Sequence, residues 1–192
     1  MARRHAIALL GGAVLAGLLP GSVNADTAAV PFGLQVDLFA KVADYDKTLP
    51  GRSQGLVRVV VVVRSGVPES VAAGARVLNA LSSVPRISGL PHEDSVVELP
   101  TPEALADLCR SRSIGILYLS PGLLDADEAI AKALSGVPVL TVSSTADGAR
   151  RGAALGFDLV GGKPKLLVNL PVCTAQGIRL SSDVLKIATV IP

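Results

Sequence analysis

The chain has few aromatic, histidine and cysteine residues. Among its 192 residues there is no Trp, aromatics make up 3%, and there are two His and two Cys. Zinc sites take most of their ligands from His and Cys, and platforms that stack nucleic-acid bases need aromatic side chains. The composition therefore argues against both kinds of site. Apolar residues reach 49%, which excludes an intrinsically disordered chain.

The N-terminus has the three regions of a secretory signal. Arg3 and Arg4 precede an uncharged apolar stretch, residues 6–19, and Ala25 supplies a small residue at a cleavage position. The stretch is shorter than the roughly 18–20 residues that a membrane-spanning helix needs. We predict a signal peptide over residues 1–25, cleavage after Ala25, and an exported, periplasmic chain that is not inserted in the membrane. An uncleaved anchor is the alternative.

Removal of the signal changes the charge balance. The whole chain has 18 Lys+Arg and 16 Asp+Glu, and the signal contains two arginines and no acidic residue. The mature chain, residues 26–192, therefore has no formal net charge, and it lacks a general electrostatic attraction to nucleic acid or anionic lipid. We expect one domain over residues 26–192 and no nucleic-acid partner.

The order of the apolar segments predicts an α/β domain. Residues 56–63 (LVRVVVVV) are almost continuously apolar, as in a strand that is covered on both faces. Three further strands are predicted over 95–99, 114–119 and 137–143. Helices are predicted over Val30–Leu49 and after Pro68, Thr101 and Asp125, with Thr101 as an N-cap and Asp125 starting a capping box with Glu128. Strands that alternate with helices indicate parallel β-α-β units.

The pattern changes after residue 143. Residues 154–160 and 165–170 flank Gly161-Gly162-Lys163-Pro164, which predicts a hairpin with a four-residue loop. Asn169 is interpreted as the cap of the turn that follows it. We expect a single α/β domain with a mixed, mostly parallel sheet flanked by helices, a C-terminal β-hairpin and short helices.

The last predicted helix follows Ser181, which we interpret as its cap. Its apolar residues are expected to pack on the sheet together with the residues beyond them. These residues are Val184, Leu185, Ile187 and Ala188, then Val190 and Ile191.

No catalytic or metal-binding set emerges from the motifs. The segment 51–55 matches G-x-S-x-G, but it follows a helix and enters a strand, the reverse of a nucleophile elbow, so we interpret it as a surface loop. His92 is the one histidine of the mature chain. We interpret residues 92–94 as a solvated loop, because one histidine is too few for a zinc site. The sequence predicts a non-enzymatic protein without catalytic residues, metal or cofactor.

A weak ligand-site signal lies at the predicted strand ends. Ligands of open α/β sheets bind beyond the carboxyl ends of the strands. Ser65, Ser120, Ser143 and Ser144 follow three of the predicted strands. They are candidate ligand-binding residues of a small pocket, and ordinary turn and cap residues are the alternative.

Cys109 and Cys173 are the two cysteines of the exported chain. Exported proteins retain disulfides, whereas free cysteines are often buried. A disulfide between Cys109 and Cys173 and two buried free thiols are therefore both open.

Four segments near the C-terminus resemble the YfiR-like family, and residues 40–49 are similar to a variant of its first helix. The segments are PVLTVS (138–143), GAALGF (152–157), KLLVNL (165–170) and GIRLSSDVLKIA (177–188). The chain lacks the Trp-Pro ending that the first helix has in many relatives, and its first strand has no cysteine that would pair with Cys109.

The resemblance implies a secreted or periplasmic α/β domain with a regulatory role. The best-known member of the family represses a membrane diguanylate cyclase, and related domains are fused to sensor kinases. The implied partner is an inner-membrane signalling protein with a periplasmic domain, acting in cyclic-di-GMP signalling, and a homodimer is left open. A small-ligand-binding periplasmic protein that uses the strand-end pocket is the alternative.

Overall fold

The computed structural model describes residues 29–192. The predicted signal peptide and its cleavage position lie outside these residues. Within them, none of the helices is long and apolar enough to cross a bilayer. The helices are α1 (Phe32–Ala43), α2 (Leu49–Ser53), α3 (Pro68–Leu81), α4 (Pro102–Ser111), α5 (Asp127–Ala133), α6 (Ala146–Arg151), α7 (Leu170–Ala175) and α8 (Ser182–Ile187).

Seven strands form one sheet in the order β2-β1-β3-β4-β5-β6-β7. All neighbouring pairs are parallel except β5 and β6, which form an antiparallel hairpin. The predicted α/β class, the mostly parallel sheet and the C-terminal hairpin are confirmed. The strands are β1 (Val57–Val63), β2 (His92–Glu98), β3 (Ile114–Leu119), β4 (Leu140–Ser143), β5 (Leu155–Val160), β6 (Lys163–Asn169) and β7 (Thr189–Ile191).

The strand β1, which lies between β2 and β3, is buried on both faces. Val59 and Val61 belong to a core cluster that also includes residues of α1, α3, α7 and α8. Val60 and Val62 point the other way, into a cluster with residues of α4 and α5. Successive side chains of a strand alternate between faces, so a continuous valine run needs a helical layer on each side.

The predicted helix over Val30–Leu49 is wrong, because two helices replace it. α1 ends at Ala43, and the chain turns at Asp46, whose Oδ1 accepts hydrogen bonds from Thr48 N (2.9 Å) and Thr48 Oγ1 (2.6 Å). Asp46 also forms a buried ion pair with Arg52 at 2.6 Å. Pro50 lies in the first turn of α2 instead of ending a helix, because the first turn of a helix does not need its N–H.

The segment that matches G-x-S-x-G is therefore not a surface loop. Its Ser53 is fully buried at the end of α2. The following residue, Gln54, has a positive φ of 52° and turns the chain toward β1. The first three residues of the motif are the end of α2, which packs on β1 and β3, so the buried Ser53 has a structural role.

The hairpin has a two-residue turn, not the predicted four-residue loop. Gly161 and Gly162 have φ of 59° and 74°, and Lys163 and Pro164 already pair with β5. A turn of two residues with a left-handed backbone conformation has a twist that matches the twist of the flanking strands. Pro164 is tolerated because β7 covers β6 only from Leu167, which leaves the start of β6 with an open edge.

The caps predicted for three helices are only partly confirmed. α5 begins at Asp127, and its cap position, Ala126, makes no side-chain hydrogen bond, so the capping box at Asp125 is wrong. Ser181 precedes α8 without a capping bond from its side chain. Thr101 does cap α4, with its Oγ1 accepting from Ala104 N at 3.3 Å.

Two strands begin at other residues than predicted, and one cap is confirmed. β2 starts at His92 instead of Ser95, and β4 starts at Leu140 instead of Val137. Asn169 caps α7 as predicted, because its Oδ1 accepts a hydrogen bond from Val172 N at 3.2 Å.

The C-terminal end packs on the sheet, though not with every predicted residue. Val184 is 2% exposed, and Leu185 and Ala188 are partly buried against the same core. Ile187 is 78% exposed, so its predicted inward packing is wrong. The chain then continues as β7, which pairs with β6 in parallel and extends the sheet.

We expect Val184→Ala to destabilise the domain by about 2 kcal/mol, from the lost apolar burial and the cavity that remains. Ile187→Ala, on the same helix but exposed, should change the free energy of unfolding by less than about 0.5 kcal/mol. Urea denaturation of both variants measures the difference. Equal midpoints for the two variants would show that α8 does not pack as described.

Candidate functional site

The strand order creates a crevice at one edge of the sheet. The first five strands have the order 2-1-3-4-5, in which β1 connects to β2 on one side and β3 connects to β4 on the other side. The loops that leave the carboxyl ends of β1 and β3 therefore diverge, and ligands of such sheets bind at this point. Arg64 and Asp125 join the two loops through a bidentate ion pair with distances of 2.6 and 2.9 Å.

A pocket of about 140 Å³ lies at this edge, and we call it the crevice pocket. The predicted ligand residues Ser120, Ser143 and Ser144 all line it, whereas Ser65 is exposed and outside its lining. Segments that follow β1, β3 and β4 contribute to the walls. The full lining is Glu69, Ser120–Leu124, Asp127 and Ser143–Thr145.

The three serines differ in their hydrogen bonding. Ser143 Oγ accepts a hydrogen bond from Thr145 N at 3.3 Å, as in an ordinary turn. The carbonyl oxygen of Ser144 accepts one from Gln35 Nε2, also at 3.3 Å. Ser120 Oγ is buried and has no hydrogen-bond partner within residues 29–192. Among the three serines, only Ser120 has a fully buried Oγ that lacks a hydrogen-bond partner in the described part of the chain.

Asp127 is the one buried carboxyl group of the crevice pocket. The residue is 3% exposed, and burial raises the pKa of its carboxyl group to about 6, with the nearby Arg151 opposing the shift and Asp125 adding to it. Asp127 was not singled out from the sequence, because an acidic residue near a helix start is common. Its burial depends on tertiary packing against α6, which the local pattern does not reveal.

A glycine makes room for this carboxyl group. A Cβ atom at Gly148 of α6 would lie 3.1 Å from Asp127 Oδ2 and 2.6 Å from Ser143 Cβ. Real side chains do not tolerate the second distance, so Asp127 and Ser143 hold their positions only because residue 148 has no side chain.

A buried polar network connects the crevice to α1. Gln35 Nε2 donates to the carbonyl oxygens of Val30 (2.8 Å) and Ser144, and Gln35 Oε1 accepts from the Tyr118 hydroxyl at 2.7 Å. Tyr118 also packs on Phe39, with ring centroids 6.1 Å apart. Buried polar groups are tolerated when they are bonded in this way. Gln35 was not found from the sequence, because a lone polar residue on an apolar helix face has no distinctive pattern.

An apolar groove of about 450 Å³ lies between α1, the start of β6 and α8, and we call it the α1–α8 groove. Its wall includes Ile187 and Tyr45, two of the exposed large side chains of the domain. Lys41 and Asp183 place one charge of each sign in the same lining. The remaining lining residues are Leu38, Val42, Pro164, Leu166 and Val184.

His92 is not in a solvated loop as predicted, because it begins β2. Its Nδ1 lies 2.8 Å from Asp94 Oδ1 and its Nε2 lies 2.6 Å from the Val84 carbonyl oxygen. Burial alone would lower the pKa of His92, but the bonds to Val84 and Asp94 and the Asp94 charge raise it above the ordinary value. Within residues 29–192 no three His, Cys, Asp or Glu side chains converge as a metal site would require.

Both cysteines are free and buried. Cys173 lies in the core cluster with Val59 and Val61, and Cys109 lies in the cluster on the other face of β1. Burial raises the pKa of each thiol to about 12, so neither is a thiolate at neutral pH.

These features define an α/β domain of the doubly wound type with a small crevice at its switch point. A family model described as YfiR/HmsC-like matches residues 60–189, and the chain belongs to this family. The resemblance seen in the sequence is thereby confirmed, and membership favours a periplasmic regulatory protein. A sequence comparison with curated proteins finds no match.

Solved structures of low sequence identity share the fold. One is an ABC domain from Streptococcus pneumoniae in complex with L-Trp, with a TM-score of 0.60 and 13% identity over 84% of this chain and 62% of that chain. Another is a conserved domain protein from Vibrio cholerae, with a TM-score of 0.58 and 16% identity over 83% of this chain and 60% of that chain.

A third structure is the ligand-free, open form of CD0873, a substrate binding protein with adhesive properties from Clostridium difficile. Its TM-score is 0.50, with 11% identity over 76% of this chain and 57% of that chain. The chain thus spans about three fifths of the length of these structures, and the similarity concerns the fold alone.

We expect His92→Gln to reduce stability more at pH 6 than at pH 9. A raised pKa in the folded state means that protonated His92 contributes stability below its unfolded pKa, and that this contribution is lost as the pH rises through the folded pKa. Urea denaturation of parent and variant at both pH values measures it. A difference in unfolding free energy that grows toward pH 9 would contradict the assignment.

The two thiols should not react with a thiol reagent in the native protein and should react with it after unfolding. We expect no reaction of native, unreduced protein with a thiol reagent at pH 7.5, because both sulfurs are buried and protonated. Two thiols should react after denaturation without reductant. Zero thiols in the denatured sample would mean that Cys109 and Cys173 are bridged, contrary to the structure.

Proposed function

We propose that the mature chain is a periplasmic regulator that binds and modulates an inner-membrane signalling protein through that protein's periplasmic domain. The family match over residues 60–189 carries this proposal. A diguanylate cyclase or a sensor kinase is the type of partner that the family suggests, and cyclic-di-GMP is the first output to measure. Export depends on the signal peptide over residues 1–25, with cleavage after Ala25. The proposed role is binding, without catalysis.

The α1–α8 groove is the surface that we assign to this partner. Ile187 is 78% exposed and Tyr45 is 42% exposed beside an apolar floor. Contiguous exposed apolar surface of this kind marks interaction sites, and large side chains in such patches contribute most of the binding energy. Lys41 and Asp183 suit a partner segment whose apolar residues are flanked by charges of both signs.

Regulation adds a requirement beyond binding. A bound protein shifts the activity of an enzyme only if it has different affinities for the enzyme's two states. A difference of a few kcal/mol between the two affinities is enough for a large shift in population. An apolar groove with a charge of each sign can supply such a difference, because apolar contact depends on close surface fit.

Binding of a small ligand is the second candidate function. The specific observation is that Ser120, Ser143 and Ser144 meet in the crevice pocket with the buried carboxyl group of Asp127. Ser65, the fourth predicted residue, is left out of this proposal because it does not line the pocket.

Ile187→Lys should impair regulation, because it places a charge in the apolar groove. In a strain that lacks the gene, we expect a changed cyclic-di-GMP level, which the wild-type gene restores and Ile187→Lys does not. Val71→Lys is the matched control, since Val71 is 49% exposed on α3, outside the lining of the groove. It should restore the level fully.

Two further measurements test the location and the contact. A gene without codons for residues 2–25 should not restore the cyclic-di-GMP level, because its product stays in the cytoplasm. A photocrosslinking residue at position 187 should capture an inner-membrane protein in intact cells. Full restoration by Ile187→Lys would reject the groove, and an unchanged cyclic-di-GMP level in the deletion strain would reject a cyclase partner.

A further inference from the structure

The crevice pocket is acidic and rich in hydroxyl groups. Its lining contains the carboxyl groups of Glu69 and Asp127, the hydroxyl groups of three serines and Thr145, and no Lys, Arg or His among the described residues. An anionic ligand would be repelled by the two carboxylates, whereas a cationic ligand would be attracted by them and can donate hydrogen bonds to the hydroxyl oxygens. The charge of the lining therefore favours a cation.

Within the described part of the chain, Asp127 is the buried carboxylate at the crevice whose charge is not paired with a cation in a salt bridge. The neighbouring Asp125 is already neutralised by its bidentate pair with Arg64. Asp127 forms no salt bridge with any residue of 29–192. Arg151, the cation that acts on it, donates its Nη1 to the Leu124 carbonyl oxygen at 3.5 Å. A buried carboxylate without a paired cation gains most from a cationic ligand.

Ser120 provides an independent sign of a missing partner. The residue is 3% exposed, lines the crevice pocket, and its Oγ has no hydrogen-bond partner within residues 29–192. Buried hydroxyl groups in native proteins are nearly always hydrogen-bonded, and an unsatisfied one carries a desolvation cost. A donor group on a bound ligand would satisfy this oxygen.

The dimensions of the pocket limit the ligand. A volume of about 140 Å³ is well below the roughly 300–1,000 Å³ of pockets that hold drug-sized molecules. The lining divides by residue type into those with hydroxyl or carboxyl groups and the apolar residues, among them Pro121, Leu123 and Leu124. A ligand of a few heavy atoms with one cationic end and a short aliphatic part fits this division.

We propose that the crevice pocket binds a small aliphatic primary amine, with its ammonium group held by the Asp127 carboxylate and the Ser120 hydroxyl. An ammonium group has three donors and no acceptor, which complements a carboxylate and a hydroxyl oxygen that accept hydrogen bonds. The proposal rests on the second candidate function above and specifies its ligand class. It does not depend on the protein partner at the α1–α8 groove.

Titration of the purified protein with matched probes tests the ligand class. Ethanolamine and putrescine are compared with their neutral counterparts ethylene glycol and 1,4-butanediol, and with the dianion succinate. Calorimetry gives the affinity, and backbone amide NMR shifts of residues 120–127 and 143–145 give the location. We expect saturable binding of the amines in the crevice and none of the diols or succinate.

Asp127→Asn should weaken amine binding by about tenfold to a hundredfold, the usual effect of losing a hydrogen bond to a charged group. Glu128→Gln is the matched control, because it removes the same charge from an exposed position in the same helical turn, and it should leave the affinity unchanged. Ser120→Ala should weaken binding by about threefold to tenfold. It should not lower the melting temperature, because Ser120 Oγ has no partner to lose.

The outcomes distinguish the proposal of an amine ligand from the broader proposal of a ligand site in the crevice pocket. Binding of a diol or of succinate with shifts at the crevice residues would overturn the amine class and retain the ligand site. Absence of crevice shifts with every probe would overturn both. Amine binding that Ser120→Ala and Asp127→Asn leave unchanged would place the amine elsewhere and would also overturn the proposal.

Discussion

The architecture depends on one strand that must be covered on both faces. Six of the seven residues of β1 are valines that are buried to within a few per cent. Because their side chains alternate between the two faces of the sheet, neither face can be left in water, and a helical layer is required above and below. That requirement places α1 and α3 on one side and α4 and α5 on the other. The connection from β1 leads to β2 on one side and the connection from β3 leads to β4 on the other, and the crevice lies where these two connections diverge.

Features that depend on local periodicity were predictable from the sequence. The run at β1, the alternation of strands with helices, and the cap at Thr101 each depend on residues within one turn or one strand. The sequence therefore indicated the fold class and three of the serines that meet at the strand ends. The parallel order of the strands brings these serines together, so their convergence followed from the class of the fold.

Features that depend on distant partners were not predictable in the same way. The break between α1 and α2 is fixed by the pair of Asp46 with Arg52 and by the contact of Asp46 with Leu180 from the other end of the chain. Asp125 has the sequence context of a helix cap, yet it bonds to Arg64, which is 61 residues away. The burial of Asp127 depends on a glycine in a helix that lies two elements later. The residue pattern within one helix or strand gives no information about these partners, because they lie outside that helix or strand.

The two proposed surfaces have one element in common. α1 contributes Leu38, Lys41 and Val42 to the α1–α8 groove, and its Gln35 bonds to the Ser144 carbonyl oxygen at the crevice. The same amide is fixed by Tyr118 from β3, so the position of α1 is specified by the strand ends and not by apolar contact alone. Coupling between two sites requires a physical element whose position both of them bias. α1 meets that geometric condition, because a displacement at the end of β4 reaches the groove through a single rigid helix.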